Sequence, residues 1–261
     1  MSEWLVLTGA MAAACAVVLV ITVLRQRRLS KAEDTEENDP AETPDVLEYM
    51  TMMVGVVYAI VLGLAIAGVW EARGAAQDDV RREAQALHEI TQRAQVYPAG
   101  VQDKLRSDID RYVSHVVDQE WPRMIDNNEL SGRGAELLGV VRADIAERKP
   151  ANELEAQAYQ PLIDQIAIAD DARNARAQNA GETLPGVVWF GLITGALVTV
   201  GLIFALQIGG TPRELLLAGL FSALIAFLLF LVWDFDAPFG RSGQDSADAF
   251  QQLFTSATGR S

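Results

Sequence analysis

The chain is poor in the residues that build covalent or metal-centred chemistry. Among its 261 residues there are one cysteine and two histidines. A single thiol, Cys15, excludes an intramolecular disulfide and any cysteine-based zinc site. Positive charge is also short: 21 Lys and Arg stand against 35 Asp and Glu, a net charge of -14. That balance argues against nucleic acid as a partner, because phosphate binding needs clustered basic residues. No alternating pattern of the kind that marks a strand is found. Charge is missing altogether from four long apolar stretches.

Those stretches are the clearest feature present. They cover residues 4–24, 49–70, 186–206 and 215–233, and none contains Asp, Glu, Lys, Arg or His. A helix rises 1.5 Å per residue, so about 20 apolar residues cross a hydrocarbon core of roughly 30 Å. Core helices of soluble proteins are rarely so long and so free of charge. Each stretch therefore reads as a transmembrane helix. Trp4, Tyr49, Trp70, Trp189 and Trp233 lie near their ends, where amphipathic rings favour the headgroup region.

Local signals set the boundaries. Thr211-Pro212-Arg213-Glu214 is a capping box with proline at the first helical position, opening the fourth span. Thr43-Pro44 and Leu184-Pro185 precede the second and third. Ile208-Gly209-Gly210 closes the third span in a tight turn, so the third and fourth form an antiparallel hairpin. The first span lacks the basic start of a signal peptide; Arg25, Arg27, Arg28 and Lys31 follow it instead.

The resulting division is 1–24, first transmembrane helix; 25–48, cytoplasmic linker; 49–70, second transmembrane helix; 71–184, helical extramembrane domain. Then come 185–207, third transmembrane helix; 208–214, turn; 215–233, fourth transmembrane helix; and 234–261, C-terminal tail. The expected fold class is an all-α membrane protein with a helical domain inserted between its second and third spans. The basic cluster after the first span and Arg213 in the short turn belong in the cytoplasm by the positive-inside rule. On that count a multi-pass protein of the cell membrane keeps its N-terminus, helical domain and C-terminus outside the cytoplasm.

The inserted domain is rich in helix formers and acidic. From Gly74 to Thr183 it holds 20 Asp and Glu against 13 Lys and Arg. Val80, Ala84, Leu87, Ile90 and Ala94 repeat at helical spacing, so the second span is expected to run on to about Val96, where Tyr97-Pro98 breaks it. Further helices are expected over 101–120, ended or bent by Trp121-Pro122, then over 135–148 and 152–178. Asp108, Asp110, Asp118 and Glu120 are read as a solvated face. His115 reads as a surface or core-edge residue. His88-Glu89 begins like a zinc-protease motif, but Gln92 stands where the second histidine belongs. There is no calcium-loop spacing, no phosphate-binding glycine loop and no nucleophile constellation. No enzyme, metal or cofactor is expected.

Two patterns remain as candidate sites. Gly55, Ala59, Gly63 and Ala67 recur at spacing four along the second span, and Gly191 and Gly195 repeat the pattern in the third. Small residues let another helix approach closely. That helix belongs either to the same subunit or to a neighbour, in which case the stripe is an interface or a narrow pore wall. Thr51 and Tyr58 are the polar candidates beside it. Pumps and transporters usually carry buried acids or histidines; the spans have none, whereas an apolar constriction suits a channel that gates by dewetting. The second pattern follows the fourth span: Asp234 and Asp236, then Pro238, Phe239 and Gly240. It is either a helix terminator with interfacial aromatics or a mouth-lining loop. A short amphipathic helix is expected from Asp248 to Phe254.

Several short segments, in this order, resemble a bacterial bestrophin-like membrane family of unknown function. They are Gly55-Val56-Val57-Tyr58-Ala59, Trp70-Glu71, Glu83-Ala84-x-x-Leu87, Arg111-Tyr112, Glu120-Trp121-Pro122 and Asp236-Ala237-Pro238-Phe239-Gly240. The resemblance implies a pentameric anion channel with its large domain in the cytosol, opposite to the side the charges favour. It also implies a calcium-binding region after the last membrane helix, but Arg241-Ser242-Gly243 follows where that region would be acidic. The reading is a self-associating ion channel or pore in a lipid bilayer, with ions as its possible ligands. A non-conducting structural or sensory membrane protein, whose helical domain binds a partner, is the alternative.

Overall fold

The computed structural model describes residues 43–181, 183–206, 212–239 and 247–255. The first apolar stretch, Cys15, the basic cluster, residues 207–211 and Gly240 lie outside the described residues. All regular structure among the described residues is helical. We number the α-helices α1 (Thr43–Arg93), α2 (Ala99–His115), α3 (Trp121–Asn127), α4 (Gly132–Ala146), α5 (Glu153–Gln178), α6 (Gly186–Leu206), α7 (Pro212–Phe235) and α8 (Asp248–Leu253).

Helix α1 continues past the apolar stretch and ends in one 3-10 turn, Ala94–Val96, where the sequence places the break. Pro98 is the cause, since it disfavours helical geometry at the residue before it; Tyr97 is extended there. The Gln102 side chain donates to the carbonyls of Gln95 and Tyr97, 3.1 and 2.7 Å away. Asn152 caps α5: its side-chain oxygen accepts from the Glu155 amide at 2.9 Å, while Glu155 accepts from the Ala151 amide. Asn128 closes α3 in the left-handed conformation.

The expected helix over 101–120 differs in its last turn. It is α-helical to His115 and widens into a π-turn, Val116–Glu120, just before Trp121 and Pro122. A proline cannot donate to the carbonyl four residues back and its ring crowds that carbonyl. Widening the preceding turn relieves both problems without ending the helical path.

The chain separates into two compact units. The apolar unit is Met1–Val69 with Leu184–Phe235, and the polar unit is Trp70–Thr183 with Asp236–Ser261. Three helices contain stretches long and apolar enough to cross a membrane, within Tyr49–Val96, Gly186–Phe204 and Arg213–Phe235. In the apolar unit Leu62, Ala65 and Val69 of α1 pack with Leu192 and Ala196 of α6 and Ile225 and Val232 of α7. Phe204 and Ala218 form a smaller contact between α6 and α7, with Ile203 and Leu215 beside it. Large apolar side chains such as Leu64, Phe190, Leu197, Leu217 and Leu220 point outward, as a lipid-facing surface requires.

The polar unit has its own core. Val80, Leu87 and Ile90 of α1 meet Ile109, Tyr112 and Val113 of α2, Leu138 and Val141 of α4, and Leu162 and Ile166 of α5. Phe239, Phe250 and Phe254 from the tail are buried in the same core. Phe239 meets Trp121 edge-on, with ring centroids 5.6 Å apart.

Candidate functional site

The small residues of α1 and the packed face of α1 are different faces of one helix. Thr51, Tyr58, Leu62, Ala65 and Val69 are buried. Ala59, Gly63 and Ala67 are exposed and Gly55 is half-exposed. A Cβ added at Gly55 or Gly63 meets nothing within 4 Å. The stripe is therefore not used for packing within the described chain.

Of Gly191 and Gly195 in α6, Gly195 is in close contact. A Cβ there would lie 2.6 Å from Tyr58 Cδ2, so only glycine lets the ring lie flat on the helix. Tyr58 also donates to the carbonyl of Leu192 at 3.2 Å. This hydrogen bond satisfies the hydroxyl where no water is at hand. Tyr58 thus serves as a packing residue between α1 and α6. Gly191 is open. Both glycines line an apolar groove of about 530 Å³ with Met53, Val57, Phe190 and Thr194.

The polar unit holds a second constellation, which the sequence reading missed. Glu83 on α1, Glu120 at the end of the π-turn, and Arg176 on α5 are fully buried, and Arg173 nearly so. Arg176 donates to Glu83 through Nε at 2.8 Å and Nη2 at 3.2 Å, and to Glu120 Oε1 at 2.9 Å. Arg173 forms a two-pronged pair with Glu120, 2.6 and 2.8 Å long, and donates to the Ser131 carbonyl at 2.9 Å. Tyr112 donates to Glu83 and accepts from Arg173. The Ser131 amide donates to Glu120 at 3.1 Å. Two arginines and two glutamates cancel, so the cluster is neutral as well as hydrogen-bonded.

Each ionisation state follows from these neighbours. Burial opposes the Glu120 charge, but its bonds to Arg173 and Arg176 outweigh that and hold the carboxyl below its ordinary value. Burial likewise opposes both guanidinium charges; Glu120 for Arg173, and Glu83 with Tyr112 for Arg176, keep them firmly protonated. Tyr112 is raised well above an ordinary phenol, first by burial and then by the Glu83 charge. Gly134 makes room for the cluster: a Cβ there would run into Glu120 Oε2 and sit 2.8 Å from Arg173 Nη2.

The acidic face expected on α2 is thereby corrected. Glu120 is inside and Asp108 is buried, while Asp110 is half-buried and Asp118 is exposed. His115 is buried at the core edge, with Nε2 3.1 Å from Ser131 Oγ. His88 and Gln92 face each other at 3.4 Å. Among the described residues no group of three or more His, Cys, Asp or Glu could hold a metal. Asp234 lies half-exposed in the last turn of α7, in the apolar unit. Asp236 is buried in the polar unit, where its carbonyl accepts from the Thr183 amide at 3.0 Å. Phe239 there is a core residue.

Three of the six segments that carry the family resemblance thus meet in one place in the polar unit. Glu83, Tyr112, Glu120 and Trp121 belong to the ionic cluster or touch it, with Arg176 Cζ 5.9 Å from the Trp121 ring centre. A family model described as a bestrophin-like domain matches residues 12–250. A bacterial bestrophin homologue from Klebsiella pneumoniae, phased on zinc, has a TM-score of 0.70 at 13% identity, covering 97% of this chain and 99% of that one. A point mutant of a bestrophin homologue from the same organism gives 0.72 at 12% identity, covering 100% and 99%. At such identities the likeness is one of fold. No curated protein matches the chain.

Proposed function

The chain is a membrane protein that belongs to the bestrophin-like family, and from that premise we propose that it is a homo-oligomeric ion channel or pore. The observation that carries the reading is the stripe on α1 that no other described residue packs against. Gly55, Ala59, Gly63 and Ala67 make poor contact with lipid but allow a second helix to come close. In a ring of identical subunits the same face of each α1 meets or bounds a common axis, and the family resemblance favours five copies. A path walled by this stripe carries no ionisable group and gates by wetting and drying of an apolar constriction. Selectivity is then set outside the bilayer. The net negative charge of the inserted domain favours cations at that mouth, whereas the resemblance favours anions.

The test is twofold. Images of single particles in lipid are expected to show a closed ring with an axial path. Liposomes holding the protein are expected to pass ions, and the sign of the reversal potential in a salt gradient separates anion from cation selectivity. A monomer or dimer with no continuous path, together with no flux, defeats the proposal and favours a non-conducting, partner-binding protein.

Orientation is part of the proposal. The positive-inside count favours an inserted domain and termini outside the cytoplasm; the family resemblance favours the reverse. Labelling of a cysteine placed at exposed Asp118 by a membrane-impermeant maleimide on intact cells is expected if the charge count rules. Protection until lysis reverses the assignment.

A further inference from the structure

Away from the ionic cluster, two carboxyl groups face each other between α2 and α4. Asp108 is 5% exposed and Asp144 is half-buried. Each has one oxygen in an ion pair. Arg111 Nη2 is 2.9 Å from Asp108 Oδ1, and Lys104 Nζ is 2.5 Å from Asp144 Oδ1. The remaining oxygens, Asp108 Oδ2 and Asp144 Oδ2, are shut off from solvent and no donor reaches either. The two carboxyls are nonetheless within hydrogen-bonding reach of each other.

Two ionised carboxylates only accept hydrogen bonds, so such a pair leaves both oxygens bare and mutually repelling. A single proton changes this. It turns one Oδ2 into a donor and the other into its acceptor, and both are satisfied by a strong charge-assisted bond. We propose that Asp108 and Asp144 form a proton-binding site that clasps α2 to α4. Asp108 holds the proton and Asp144 accepts.

The surroundings support this division. Burial and the neighbouring Asp144 raise Asp108, against the opposing charges of Arg111 and Lys104 on its own helix. Burial also acts to raise Asp144, but the bonds from Lys104 and from Asp108 outweigh it and hold Asp144 below its ordinary value. The bond to Asp144 first, then the charges of Asp108 and of Glu147 just past α4, raise Lys104 and keep that ammonium charged. The pair titrates as a unit. The raised Asp108 stabilises the folded state at low pH, and that contribution is lost as pH rises through its folded value. The depressed Asp144 works the other way, losing its contribution as pH falls. The clasp is therefore closed in a window bounded by the two and opens on its alkaline side.

Hydrogen exchange on the full-length protein in lipid nanodiscs tests it. Amides of 99–115 and 132–146 are expected to lose protection as pH rises, by about fivefold beyond the chemical effect of pH, the equivalent of one hydrogen bond. Asp108→Asn, which keeps a neutral donor beside Asp144, is expected to make protection independent of pH. Infrared spectra of the unaltered protein supply a readout that needs no variant. They should contain a protonated-carboxyl band that persists above the ordinary carboxylate range and vanishes as the clasp opens. Absence of that band, or equal pH dependence in Asp108→Asn, overturns the proposal. So does recovery of protection at high pH on adding calcium or magnesium, which would make the site one for a metal ion.

Discussion

Arg176 and Glu83 stand 93 residues apart and share two hydrogen bonds, 2.8 and 3.2 Å long, with neither side chain exposed. The bond ties α5 to α1 through charges that cannot leave the protein interior. Taking two ions out of water is costly, and replacing both by apolar groups is often neutral. Removing one is not, because the other is left buried and unpaired. Arg176→Met therefore strands Glu83 and weakens the hold on Glu120. A loss of about 3–5 kcal/mol is expected, read as a lower unfolding midpoint in detergent. The pair Arg176→Met with Glu83→Gln should recover part of it. A single variant as stable as the parent would show that the cluster contributes nothing.

Acid should undo the same cluster through Glu120. Its carboxyl lies below its ordinary value, 4.5, because the two arginines outweigh burial. The stabilisation is then complete above the unfolded carboxyl value and is lost as pH falls through the depressed folded one. Trp121 adjoins Glu120 in sequence and packs on Phe239, so near-ultraviolet dichroism reports the transition. Glu120→Gln is expected to be less stable at neutral pH and to show a weaker acid transition. An acid limb of unchanged steepness in that variant would assign the transition to other carboxyls.

Gly134 leaves the room the cluster needs. It faces Glu120 and Arg173 at a distance no Cβ tolerates. Gly134→Ala must push apart a bonded pair in a closed interior, and a destabilisation of about 1–3 kcal/mol is expected from overpacking. Gly139 lies on the same helix with open space around it. Gly139→Ala is expected to be neutral or slightly stabilising, since alanine is the better helix former. Equal effects of the two substitutions would mean that α4 yields easily around the cluster.

The helices were legible because their signals are local. An apolar run free of charge, Tyr97-Pro98 as a break and Leu184-Pro185 before the third apolar stretch each act within a few residues. The ionic cluster was not read, although its pattern is there. Leu162, Ile166, Ala169, Arg173 and Arg176 alternate spacings of four and three along one seam of α5, so the arginines occupy core positions. Tyr112, Val116 and Glu120 share a spacing of four, and Glu83 adjoins Ala84 on the face of Val80 and Leu87. A charged residue in an apolar register marks a buried pair, but its partner comes from a distant helix, and single-helix periodicity says nothing about distant helices. The π-turn was hidden for a similar reason. Pro122 announces a disturbance and does not say whether the helix stops, bends or widens.

The two glycine faces of the apolar unit separate folding from assembly. Gly195 is closed by the Tyr58 ring within one chain, whereas Gly63 has nothing within 4 Å. Gly195→Leu is therefore expected to unfold the packing of α1 on α6, lowering thermal stability whatever the oligomer. Gly63→Leu adds an apolar side chain on a face that the described residues leave open, so their packing within one subunit tolerates it. If α1 meets a neighbouring copy along Gly55, Ala59, Gly63 and Ala67, the leucine holds the helices apart and the particle shrinks or loses its ion flux. Particle mass and liposome flux measured on both variants distinguish the outcomes. A Gly63→Leu protein with unchanged mass and unchanged flux would remove the stripe from the assembly surface and leave it facing lipid.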